Sequence, residues 1–207
     1  MTLLAVLDYA SVLVFALTGA LAASRAQLDL VGFAFIASLT AVGGGTLRDL
    51  LLDRNPIFWI AQPSYLAVTA SAALLVFFTA HLLESRYRAL LWLDSLALAV
   101  AVPAGVNLAL ALNQPAPIVL IMGIITGTFG GLMRDVVCNE VPLVLKQGEL
   151  YVTAAFAGSA AALVADALGQ DALVTLMACA ATTWALRAGS MLFGWRLPSY
   201  RSRPPRR

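Results

Sequence analysis

Slid along itself by 86 residues, the chain meets its own pattern. Thr40 falls on Thr126, Gly44 on Gly130, Gly45 on Gly131, Arg48 on Arg134, Asp49 on Asp135, Pro56 on Pro142 and Tyr65 on Tyr151, without a gap. Upstream, Asp8 falls on Asp94 and Gly19 on Gly105. In a chain that is 61% hydrophobic, apolar coincidences carry little information; one offset that aligns Gly, Arg, Asp, Pro and Tyr carries a great deal. An internal repeat of this kind constrains the fold before any motif does.

The repeated units are sets of membrane spans. A helix crossing a bilayer needs about 20 mostly apolar residues. Seven stretches meet that condition: 3–24, 29–54, 64–83, 90–112, 116–140, 149–168 and 172–193. Charged residues make up 12% of the chain, against about 25% in soluble domains, so a water-facing surface could not be covered. The expectation is one all-α integral membrane domain over 1–207. Residues 1–86 form a first three-helix unit, 87–172 a second, 173–195 a seventh helix, and 196–207 a basic tail. Three spans are an odd number, so the second unit enters the membrane from the opposite side. That makes an inverted repeat in a 3+3+1 arrangement, with a pathway expected between the two units.

Connections are short: Arg25 and Asp29, Asn55-Pro56, then Glu84 with Arg86 and Arg88, Asn113-Gln114-Pro115, Lys146-Gln147-Gly148 and Gly169-Gln170-Asp171. With the N-terminus outside, nine basic residues fall on the cytoplasmic side: Arg25, Arg86, Arg88, Lys146, Arg196, Arg201, Arg203, Arg206 and Arg207. Only Arg54 flanks a span outside, so the distribution of basic residues favours an outer N-terminus and a cytoplasmic C-terminus. The tail, broken by Pro198, Pro204 and Pro205, suits anionic lipid headgroups rather than nucleic acid. The start of the chain lacks a signal peptide's basic region and cleavage site, so the span from Leu3 is expected to be retained. Cys138 and Cys179 lie in apolar helical stretches and read as small hydrophobes. His81 stands alone at a helix end, no metal-ligand cluster is present, and no nucleophile–base pair supports an enzyme.

Spans two and five carry the chemistry. Span two reads Thr40-Ala-Val-Gly-Gly-Gly-Thr-Leu-Arg-Asp49, and span five Thr126-Gly-Thr-Phe-Gly-Gly-Leu-Met-Arg-Asp135. Each interior glycine costs roughly 1 kcal/mol in a helix, so Gly43, Gly44 and Gly45, like Gly127, Gly130 and Gly131, predict a kink or an opened turn lining the path. The competing explanation is close helix packing, and the glycine spacing alone decides neither. Arginine at mid-helix costs about 2.5–3.5 kcal/mol on insertion scales, which makes Arg48-Asp49 and Arg134-Asp135 either structural ion pairs or the charges of a gate. Arg48 lies about 9 Å inside the outer end at 1.5 Å rise per residue. Since adjacent helical residues point about 100° apart, cross-helix pairing is as open as pairing with Asp49. Asp8 and Asp94 are candidate mouth carboxylates or simple first-turn acids. Thr40, Thr46, Thr126 and Thr128 are candidate pore hydroxyls; Thr46 has Leu132 as its repeat partner.

The paired Gly-Gly-x-x-Arg-Asp segments, Gly44 to Asp49 and Gly130 to Asp135, each followed by Pro56 or Pro142, resemble prokaryotic members of the trimeric intracellular cation channel (TRIC) family. The resemblance runs from about residue 3 to 193 and implies a homotrimer in which each protomer has its own pore. Its permeant ion would be potassium, its second and fifth helices glycine-kinked, its membrane the bacterial inner membrane, and it would need no cofactor. Relatives with a lysine in the fourth span differ from this chain, which has Asn107 to Leu110 there. A secondary transporter of a small solute would use the same inverted-repeat pathway.

Overall fold

The computed structural model describes residues 3–83, 85–146 and 149–198, and every element of regular structure among them is helical. Eight α-helices follow in order: α1 (Leu3–Arg25), α2 (Leu30–Leu51), the single turn α3 (Phe58–Ala61), α4 (Ser64–Thr79), α5 (Arg86–Ala111), α6 (Ala116–Val137), α7 (Val152–Ala167) and α8 (Ala172–Phe193). Glu84, Gln147 and Gly148, and the tail positions Arg201, Arg203, Pro204, Pro205, Arg206 and Arg207, lie outside the described residues.

Local chemistry sets the helix ends. Asp29, Ser85 and Asp171 each accept a hydrogen bond from the backbone N–H three residues on, capping α2, α5 and α8. At the other ends the repeat is visible in the backbone. α1 and α5 stop at left-handed Gln27 and Asn113, and α2 and α6 at left-handed Asp53 and Asn139. Each is followed by an N–H that reaches back five residues: Leu28 to Ala23, Gln114 to Ala109, Arg54 to Asp49 and Glu140 to Asp135. These are Schellman-type closures, and each falls 86 residues from its twin.

Among the described residues, six helices are long and apolar enough to cross a bilayer. The sixth expected span is shorter than anticipated: α7 has 16 residues, about 24 Å at 1.5 Å per residue. Residues 149–151 are withheld from it by side-chain and loop contacts, with Glu149 held by Arg187 and the Leu150 N–H by Ser190. Pro103 is absorbed within α5, which stays helical from end to end.

Helix α5 is the most enclosed of these six, with about two thirds of its apolar segment buried. It packs on α1, α6, α7 and α8, while α1 packs on α2 and α4, and α2 crosses α6. Alanine and glycine fill these contacts, among them Ala16, Ala20, Ala97, Ala101 and Ala104, all fully buried. In lipid, such small residues let helices approach closely enough for dispersion to hold them. Large apolar side chains point outward instead, as Leu74, Leu75, Phe77 and Phe78 do on α4.

Candidate functional site

The site forms where α2 and α6 cross. A Cβ at Gly44 would lie 2.3 Å from the Thr126 carbonyl oxygen, and a Cβ at Gly130 would lie 2.2 Å from that of Thr40. Higher residue numbers on one helix therefore meet lower numbers on the other, so the two helices run antiparallel through the contact. Thr40 and Thr126 are each held from a second side, where Cβ atoms at Gly19 and Gly105 would meet their hydroxyls at 2.7 and 2.5 Å. Each junction thus brings together three helices, and the second reproduces the first.

Both helices run unbroken through the glycines. α2 is helical throughout Leu30–Leu51 and α6 throughout Ala116–Val137. Gly44 and Gly130 allow the close contact, because a side chain at either would push backbone off backbone at the crossing. Gly43 faces the Met133 methyl, Gly45 the Phe58 ring, and Gly127 the side chains of Val102 and Leu98. The four threonine hydroxyls donate back to carbonyls one turn earlier: Thr40 to Ile36, Thr46 to Val42, Thr126 to Met122 and Thr128 to Ile124. Thr46 also accepts from the Trp59 indole at 2.9 Å. Each hydroxyl oxygen keeps a lone pair, although Thr40 and Thr126 are nearly inaccessible.

One turn beyond each junction lies a buried arginine. Arg48 donates through Nε to Asp49 Oδ1 at 2.8 Å and through a terminal nitrogen to Asp8 Oδ1 at 2.9 Å. Arg134 does the same with Asp135 and Asp94, both at 2.8 Å. The second oxygen of each neighbouring aspartate accepts a backbone N–H beyond the helix, from Phe58 for Asp49 and from Leu143 for Asp135, both at 2.9 Å. A carboxylate that grips the arginine with one oxygen and the following loop with the other fixes both. The sequence left adjacent and cross-helix pairing open; each arginine makes both.

Asp8 and Asp94, the candidate mouth carboxylates, lie within the fold. They are 5% and 0% exposed and committed to the arginines. Removing either partner would strand a buried charge, which is why such groups come as hydrogen-bonded sets. The two clusters lie on opposite sides of the antiparallel crossing, each about 9 Å along the helix from its centre at 1.5 Å per residue.

Their surroundings differ. Beside the first cluster, Arg54 approaches Asp49 at 3.6 Å, and Asp8, Arg54, Gln62 and Tyr65 line a 120 Å³ cavity. The Phe58 ring lies over Arg48, 5.6 Å to the centroid. At the second cluster the counterpart of Arg54 is Glu140, which turns away to pair with Arg25 at 3.1 Å. The Tyr151 hydroxyl takes up the face of Gly131 beside Asp94 and Arg134. Next to it, Arg187 on α8 meets Glu149 at 2.8 Å and lies over the Tyr151 ring at 5.1 Å. Sequence reasoning missed the roles of Tyr151, Phe58 and Glu149, although the alignment of Tyr65 with Tyr151 marked one of them.

A family model described as "Glycine transporter" matches this chain twice, over residues 5–81 and 91–167, ranges that begin and end 86 residues apart. A UPF0126 membrane protein of Vibrio cholerae is 37% identical over 204 residues, 96% of this chain and 83% of that protein. The UPF0126 inner membrane protein YadS of Escherichia coli K12 is 39% identical over 156 residues, 73% of each chain. Among solved structures, the TRIC trimeric intracellular cation channel orthologue from Rhodobacter sphaeroides superposes with a TM-score of 0.90 at 40% identity, covering 94% of this chain and 100% of that one. A prokaryotic TRIC channel determined in 0.5 M KCl gives 0.85 at 26% identity, covering 94% and 98%.

Proposed function

The chain belongs to the TRIC family, and from that premise we propose that it is a passive cation channel of the bacterial inner membrane, with one pathway inside each protomer of a homotrimer. The arrangement is three helices, three inverted helices and one more; the antiparallel meeting of α2 with its equivalent α6 supports the inversion. The path runs between the two units, along α1, α2, α5 and α6. Its narrowest part is the glycine crossing, where Thr40 and Thr126 are the nearest hydroxyls, with Thr46 and Thr128 farther along. Potassium is the proposed permeant ion, N-out and C-in the orientation, and the basic tail a contact for anionic headgroups.

The observation that carries this reading is the tethered arginine on each side of the crossing, Arg48 between Asp8 and Asp49 and Arg134 between Asp94 and Asp135. A bare arginine would repel a cation, whereas one held by two carboxylates leaves no net positive charge in the way. Swinging the guanidinium between its carboxylates opens or blocks the end of the path without breaking a helix. The gate is therefore a side-chain device at each end, and the crossing is its rigid frame.

Purified protein in a planar bilayer should give discrete unitary currents carried by potassium. Arg48→Ala and Arg134→Ala channels that retain wild-type selectivity and opening would remove the arginines from the gate. The match to a family described as Glycine transporter sets the competing experiment. Saturable glycine counterflow in liposomes, without unitary openings, would make the chain a carrier.

A further inference from the structure

A cavity lies away from the crossing, at the end of the bundle where α8 finishes. It measures about 490 Å³ and is lined in part by Arg88, Trp92, Glu149, Arg187, Ser190 and Arg196. Three arginines face one carboxylate there, a surplus of two positive charges. Arg187 is fully buried, yet its Nε and one terminal nitrogen have no hydrogen-bond acceptor. Its other terminal nitrogen meets Glu149, and its plane lies over Tyr151. Buried guanidinium donors without acceptors are costly, so this geometry calls for an anion with several oxygens.

The cavity is built, and does not depend on a loose tail. Gly194 takes a left-handed conformation (φ 68°) that turns the chain back after α8. Trp195 then folds onto Gly189, where a Cβ would lie 2.3 Å from its ring. Ser190 donates to the Trp195 carbonyl at 3.0 Å and accepts from the Leu150 N–H at 3.1 Å, locking the fold-back to the start of α7. The result delivers Arg196 to the same wall as Arg187, while Arg88 arrives from the first turn of α5. Neither Arg88 nor Arg196 has a carboxylate partner among the described residues.

We infer that this cavity is a binding site for a phosphate group, held by Arg88, Arg187 and Arg196. Guanidinium groups present paired N–H donors that match phosphate oxygens, and Glu149 presets the Arg187 plane. The phosphate comes either from an anionic phospholipid headgroup entering from the membrane side or from free phosphate entering from water. The site does not depend on the channel reading, and its test uses no current.

The full-length protein, purified and stripped of lipid in a neutral detergent, would be melted against increasing sodium phosphate, with sodium chloride at matched ionic strength as reference. A parallel series would use mixed micelles containing phosphatidic acid or phosphatidylglycerol, with phosphatidylcholine as reference. A saturable rise in Tm is expected in at least one series. Inorganic phosphate acting alone identifies the free ion; an effect confined to the anionic lipids identifies the headgroup. In Arg88→Gln/Arg196→Gln, two exposed positions whose loss leaves the packed core intact, the midpoint should move up by about tenfold or more, the loss of charge-assisted hydrogen bonds. Arg187→Lys, which keeps the charge but loses the planar fork, should weaken binding while preserving the fold. No rise above the references in either series, or an unchanged midpoint in the double variant, overturns the site.

Discussion

The Arg48 and Arg134 clusters share one skeleton and live in different electrostatic company. Each arginine is tied to the aspartate beside it and to one forty residues earlier, and each neighbouring aspartate also holds the loop beyond its helix. Around Arg48, the approach of Arg54 balances two carboxylates with two cations. Around Arg134, the same sequence position is Glu140, engaged elsewhere, so two carboxylates share one cation. A Tyr151 hydroxyl and the Arg187–Glu149 pair complete that side. Duplication therefore preserved the part that fixes geometry and let the part that sets local charge diverge. For a cation path, the end with surplus carboxylate is where an ion is best accommodated.

Substitutions can break that comparison most strongly at the arginines. Arg134→Ala should destabilise the protein by about 3–5 kcal/mol, the cost of a buried ion set missing one member, and show a large loss of folded material in detergent. Arg48→Ala should be milder by roughly 1 kcal/mol, because the partly exposed Arg54 remains to offset Asp49. Thermal melts of the two variants side by side check the order, and a reversed order would refute the charge argument. The crossing, in contrast, should respond symmetrically. Gly44→Ala and Gly130→Ala each place a methyl against a carbonyl oxygen and should each lose about 1–3 kcal/mol. Gly43→Ala meets only the mobile end of Met133 and should stay within about 1 kcal/mol of wild type.

How far the sequence could see is instructive at these same residues. The gapless offset located α2 and α6 so well that their observed limits, Leu30–Leu51 and Ala116–Val137, are related by the same 86 residues. Composition and span length were enough for an all-helical membrane domain. The glycines were ambiguous because one local property, the lack of a side chain, serves both a weak turn and a tight contact. Only a neighbouring helix decides between them, and here Thr126 and Thr40 provide it. The partners of the arginines were within reach: Asp8 to Arg48 and Asp94 to Arg134 are both separations of forty. That equality is visible in the repeat, but a carboxylate near a helix start has an adequate local explanation, which masked it. The Arg187–Glu149 pair had no such signal, since α8 has no twin from which to read a constraint.

The smallest effects sharpen the comparison at its edges. Arg54→Gln should leave stability within about 1 kcal/mol, as expected for a pair that is 35% exposed on the arginine side. The same change should make the first cluster resemble the second by giving it a net negative charge, raising cation occupancy at that end. A shift of the current–voltage asymmetry toward symmetry would show it. Glu140→Gln, which frees Arg25, should likewise change stability by less than about 1 kcal/mol.

The most direct test of the account is the reversal potential of unitary currents from the unaltered protein in a bilayer with a steep potassium chloride gradient. Discrete openings that reverse close to the potassium equilibrium potential are the predicted result. Currents reversing toward the chloride potential, or no discrete openings in protein that is folded and inserted, would contradict a cation path between the two arginine clusters.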